Sequence, residues 1–148
     1  MFKNRLISVL VIVGALSLMT GCATNRATAS LTPGTDLAKV KSAYVVKLAQ
    51  DERNINELIK TKLEKKGYVV TTGPALPPPY KADVAVTYAD KWMWDITMYM
   101  IELTITVRDP ATSFPMAVGN SFHTSLTRKP PAEMVDEVLA NILSAPKN

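Results

Sequence analysis

Residues 38–148 predict an α+β fold, an α/β sandwich in which two helices pack on one face of a mixed sheet of four to five strands. Three observations predict it. Several stretches alternate apolar and polar residues with the period of two that marks a strand with one buried face. Two stretches space their apolar residues as i, i+3 and i+4, the stripe of an amphipathic helix. Their order along the chain is β-α-β-β-β-α, and one two-layer arrangement covers all of those stripes.

The first strand is Val40 to Leu48, where Val40, Tyr44, Val46 and Leu48 share a face with Ser42. Asn54 opens the first helix, with Glu57 three residues on in a capping-box arrangement. Ile55, Leu58, Ile59 and Leu63 form its apolar face. Lys65 and Lys66 suit the negative end of the helix dipole, and Gly67 suits the left-handed position that ends it. Tyr68 to Thr72 is the next strand, so strand, helix and strand form a parallel unit with a right-handed crossover. Gly73 to Lys81 holds three consecutive prolines and reads as a stiff connecting loop.

Asp83 to Ala89 is a short strand. Trp92 to Arg108 reads as the longest one, with Thr97, Tyr99, Ile101, Leu103, Ile105 and Val107 as its core stripe. The last strand, Met116 to about Thr127, is read with its even face inward: Met116, Val118, Phe122 and Leu126. Its odd face is small and polar, with Ser121 and His123. In an antiparallel pair that parity requires facing residue numbers to add to an odd number, and a sum of about 225 puts Glu102 opposite His123 and Met100 opposite Ser125. Pro130-Pro131 precedes the final helix, where proline in the first turn is favourable. Met134, Val135, Val138, Leu139, Ile142 and Leu143 are its apolar face.

Ahead of this domain, Lys3 and Arg5 precede an apolar run from Leu6 to Leu18. A basic start before a short apolar run is the pattern of a secretory signal. The run falls short of the ~20 residues that a membrane-spanning helix needs. It closes on Leu18-Met19-Thr20-Gly21-Cys22, which contains the only cysteine of the chain. This stretch resembles the lipobox of bacterial lipoproteins. The resemblance implies a diacylated Cys22 as the first mature residue, and Ala23 after it implies the outer membrane, facing the periplasm. The expected organisation is a signal peptide over 1–21, a lipidated cysteine and flexible tether over 22–37, and one domain over 38–148. As a coil, the tether would average on the order of 20 Å end to end.

Composition narrows the function. Lys3 and Arg5 leave with the leader, so the formal charge of +4 falls by two, and the mild remainder argues against a nucleic-acid partner. A single cysteine allows no internal disulfide, so the domain relies on its core. The chain has one histidine and no nucleophile elbow, zinc-protease motif or phosphate-cradling loop. Ser121 and His123 share a strand face without an orienting acid, apart from Glu102 across the hairpin, which reads as a solvated pair. The reading is therefore non-enzymatic and without a cofactor.

The most unusual stretch surrounds two tryptophans. Trp92, Trp94, Ile96, Met98 and Met100 share a parity, and with helices on the odd face this patch is expected on the open side of the sheet. An apolar patch of that kind marks a partner site, and tryptophan is enriched among interface hot spots. The expected function is an accessory or assembly partner of another envelope protein. Two alternatives stand beside it. Trp92 and Trp94 could stack on sugar rings with Asp90 and Asp95 binding hydroxyls, as in a glycan or peptidoglycan module. Met98, Met100 and His123 could bind Cu(I) or Ag(I), since thioethers are soft ligands. The plain structural alternative is that the proline loop or residues 23–37 cover the patch. The element order is similar to that of small envelope lipoproteins such as the partner of the lipopolysaccharide-export barrel.

Overall fold

The computed structural model describes residues 25–146; the leader and Cys22 lie outside them. The domain is a mixed sheet of six strands with two helices on one face. The strands are β1 (Arg26–Leu31), β2 (Ser42–Val46), β3 (Val69–Gly73), β4 (Val84–Asp95), β5 (Thr97–Arg108) and β6 (Pro115–Phe122). The helices are α1 (Ile55–Lys65), between β2 and β3, and α2 (Pro131–Ser144), at the end of the chain. Across the sheet the strand order is β1-β6-β5-β4-β2-β3. β2 is parallel to β3, as the β-α-β reading predicts, and also to β4; the remaining neighbours are antiparallel.

The strand count exceeds the predicted four to five because the segment read as a flexible tether contains β1, which pairs with β6 from Arg26 opposite Phe122 to Leu31 opposite Ala117. A short 3-10 turn at Leu37–Lys39 follows, with Leu37 buried. The predicted long strand over Trp92–Arg108 is also broken, without adding to the count, because residues 92–95 continue β4. Ile96 has a φ of +59°, and the chain reverses there, so that Asp95 faces Thr97 and Trp94 faces Met98. Residues on either side of Ile96 belong to the two arms of a hairpin.

The inward face of β6 is also the reverse of the predicted one. Ala117, Gly119, Ser121 and His123 are buried, whereas Met116, Val118 and Phe122 are only partly so and Leu126 is 90% exposed. The odd residues are small because α2 lies directly on them. A Cβ on Gly119 would stand 2.7 Å from Ile142 and 2.8 Å from Val138, so only glycine permits that approach. Consequently Glu102 faces Phe122, not His123, and Ser125 lies in a 3-10 turn beyond the strand.

A bulge in β5 completes the correction. Lys91 faces Glu102 and Trp92 faces Met100, leaving Ile101 as an extra residue without an opposite number. An inserted residue moves the following side chains to the other face. Met100 therefore joins Leu103, Ile105 and Val107 in the core, fully buried.

The core lies between the sheet and the helices. It joins Val45, Val84, Val86, Leu103 and Ile105 to Ile55, Ile59 and Leu63 of α1 and to Met134, Val138 and Ile142 of α2. Lys62 and Lys66 of α1 flank Asp136 of α2 at 3.3 and 3.6 Å. The expected capping box does not form: Asn54 is left-handed and makes no cap bond. Asp51 does that work, accepting from the amides of Arg53 at 2.9 Å and Asn56 at 3.2 Å. It also accepts from the Tyr88 hydroxyl at 2.6 Å. Burial pushes the Tyr88 hydroxyl upward and the Asp51 carboxylate reinforces the shift.

Candidate functional site

Two places bring together side chains of interest: a buried polar cluster under α2, and the apolar end of the sheet. The cluster tests for chemistry. Ser121 Oγ donates to Glu137 Oε2 at 2.6 Å, and His123 Nε2 meets the same oxygen at 2.8 Å. Lys129 Nζ donates to Glu137 Oε1 at 2.6 Å. Burial raises the Glu137 carboxyl, but the bonds from Lys129, Ser121 and His123 outweigh it and hold the group at about 2. The acid that the sequence reading lacked thus comes from α2.

The arrangement does not activate a nucleophile. In a Ser-His-acid relay the hydroxyl donates to the imidazole and the imidazole to the acid. Here the Ser121 hydroxyl bypasses His123 and donates its hydrogen bond to the carboxylate, and Ser121 is fully buried. The cluster pins the end of β6 and the Thr124–Pro130 connection to α2. Glu102, the other acid considered, lies on the open face and accepts from Lys91 at 3.0 Å and Asn120 at 3.0 Å.

The apolar end is built by the β4–β5 hairpin. β6 stops at Phe122 opposite Glu102, and β2 pairs with β4 only over Val84–Val86. Residues 92–100 therefore run on as a two-stranded ribbon beyond the main sheet. Trp92, Trp94, Met98 and Met100 lie on one face of this ribbon, as cross-strand pairs do. That face is the helix-covered one, not the open side that the sequence predicts.

Exposure grades along the ribbon. Met100 is fully buried, and Trp92 packs partly against the core with its Nε1 bonded to Asp90 and the Arg53 guanidinium 4.2 Å over its ring. Met98 is 48% exposed, Trp94 70% and Ile96 84%. Neither the proline loop nor β1 covers them. Between the ribbon and the start of α2 runs a groove of about 370 Å³, walled by Trp92, Met98, Tyr99, Met100, Pro130 and Pro131. Arg128 closes one side, donating to Thr97 Oγ1 at 2.8 Å with its guanidinium 5.3 Å over the Tyr99 ring.

The five sequence-selected residues therefore share one hairpin, but the first and last are base and core while Trp94, Ile96 and Met98 are open. The candidate soft-metal set is dispersed: Met100 and His123 are buried, His123 Nε2 is held by Glu137, and only Met98 is open. Among the described residues no group of three or more His, Cys, Asp or Glu is placed to hold a metal ion. For sugar stacking, the Asp90 carboxylate is already engaged by the Trp92 indole. Sequence reasoning missed Glu137, Arg128 and the prolines as parts of these sites; the buried polar odd face of β6 was the available signal for the first.

No protein-family model matches the chain, and no curated protein matches it. Solved structures share its fold. Two structures of PelC from Paraburkholderia phytofirmans, both dodecamers and one of them a point variant, are 14% and 13% identical with TM-scores of 0.52 and 0.51. Each alignment covers 82% of this chain, and it spans 100% and 96% of the PelC chains. A PDZ domain protein from Parabacteroides distasonis is 12% identical with a TM-score of 0.52, over 84% of this chain and 37% of that one. At these identities the likeness is one of fold.

Proposed function

We propose that this chain is an exported lipoprotein, anchored through Cys22 on the periplasmic face of the outer membrane, that serves without catalysis as an accessory or assembly partner of another envelope protein. One observation carries the reading. The domain leaves Trp94, Ile96 and Met98 open on a projecting ribbon beside a groove, while its one Ser-His-acid cluster is sealed under a helix. Large apolar side chains left open in this way are the usual mark of a binding surface. The groove has a floor of Trp92, Met98 and Met100 with Arg128 at its side, the residue types that dominate interface energetics.

A second version has the partner as another copy of the same chain. It is favoured by the fold likeness to PelC, whose solved structures are dodecamers and whose whole length the match spans.

One experiment separates the readings. A photo-crosslinking side chain at position 128 beside the groove, irradiated in intact cells, should yield a discrete adduct. An adduct at twice the mass of the chain means self-assembly; any other discrete protein adduct identifies a partner. Irradiation that yields no protein adduct sinks the proposal.

A further inference from the structure

The ribbon tip exposes large apolar side chains on both faces and at its apex, with Asp95 and Thr97 as the polar pair beside the turn. Trp94 and Met98 are exposed on one face, Met93 is 47% exposed on the other, and Ile96 stands at the apex. A partner protein seated in the groove covers one face of such a ribbon. An interfacial lipid layer surrounds it.

The position of the anchor points the same way. β1 and β5 are each antiparallel to β6, so both begin at the same end of the sheet. Arg26 is level with Phe122 and Glu102, and the tip lies five residues further along β5, roughly 16 Å at the rise of a strand. Cys22 precedes Asn25 by three residues, so its Cα lies within about 11 Å of that residue. The Thr127 hydroxyl is bonded to the Asn25 side chain, which places the 90% exposed Leu126 beside the entry of the chain. Of the other large exposed apolar residues, Val69, Phe114 and Leu143 belong to the opposite end.

We infer that the hairpin tip is a second membrane contact: Trp94, Ile96 and Met98, with Leu126 at the same end, enter the interfacial layer of the bilayer that holds the Cys22 acyl chains. This rests on the lipoprotein reading above. Tryptophan favours that layer, where an apolar ring meets lipid and its N–H meets water. Behind the tip, three arginines lie over aromatic rings: Arg26 over Phe122, Arg53 over Trp92 and Arg128 over Tyr99. They sit where headgroup phosphates would be, and guanidinium pairs readily with phosphate. The outer edges of the ribbon carry unpaired backbone groups, which restrict insertion to the hydrated interface and exclude the hydrocarbon centre. Ile96 fits this account. It holds a left-handed conformation that a β-branched residue adopts only under strain, and nothing inside the fold gains from its side chain.

The test uses the full chain purified from bacterial membranes, as a Trp92→Phe variant so that Trp94 is the sole tryptophan. It is reconstituted into phosphatidylethanolamine/phosphatidylglycerol vesicles with acyl chains brominated near the carboxyl end. Intact mass reports acylation; fluorescence reports the tip. Brominated vesicles are expected to quench Trp94 at least two-fold, and Ile96→Asp with Met98→Asp should abolish the quenching while flotation with the vesicles persists. Unquenched Trp94 overturns the inference. If it is also shielded from acrylamide, the tip belongs to a protein contact, with a second copy or another chain. An unacylated mass sinks the anchor alone, since quenching still decides the tip.

Discussion

At the scale of single residues, Glu137 ties β6 to α2. It receives three side chains, from Ser121, His123 and Lys129, and they come from the end of β6 and from the segment that leads into α2. Its carboxyl is held at about 2 against an ordinary 4.5. The native state therefore binds fewer protons than the unfolded chain in that interval. The stability from this cluster is complete above pH 4.5 and is lost as pH falls through about 2. Glu137→Gln should cost about 2 kcal/mol at neutral pH, the worth of hydrogen bonds to a charged group. It should also flatten the dependence of stability on pH between 4.5 and 2. Urea unfolding of both proteins at pH 7 and pH 3 checks this; an equal loss in the two on acidification would remove Glu137 as the cause. Ser121 and His123 were legible as an odd polar pair on one strand face. Their acid was not, because Glu137 lies on the flank of the apolar stripe of α2, where a solvated carboxylate is the ordinary expectation.

At the scale of elements, the helices were the most legible parts. Their apolar stripes, Gly67 and Pro131 correspond to α1, its left-handed terminus and the first turn of α2. The strands were legible as strands but not in their facing. Period two carries no memory of a reversal or an inserted residue: the turn at Ile96 kept the parity and so stayed hidden within one stripe, and the bulge at Ile101 shifted the parity without leaving a local mark. A glycine or asparagine at position 96 would have announced the hairpin. The residue found there is instead an isoleucine held against its conformational preference. Ile96→Asn should therefore stabilise the isolated domain by about 1 kcal/mol, since asparagine tolerates the left-handed region at little cost. A rise in the urea midpoint is the expected outcome. A fall would show that the Ile96 side chain packs within the fold, and would remove the reason for assigning it to an external surface.

At the scale of the whole molecule, the segment after Cys22 changes meaning. Read from composition, residues 22–37 are a spacer, because Thr, Ala and Ser with Pro33-Gly34 show no period. In the structure, six of them complete the sheet at its β6 edge and bury Leu31 against α2 and its neighbours. An edge strand needs only backbone pairing and one good side chain, and a short alternation of small residues is a weak signal of either. Under the lipidation proposed above, only three residues of sequence would separate Cys22 from β1, in place of the long spacer read from composition. A spacer and a strand differ in what their removal does. A domain that begins at residue 33 should be less stable than one that begins at residue 25 by at least about 2 kcal/mol, the burial of Leu31 alone. It should also self-associate through the uncovered edge of β6. Equal unfolding midpoints for the two chains would return residues 22–37 to the role of a tether. The membrane contact proposed for the ribbon tip would then lose its argument from the proximity of Cys22.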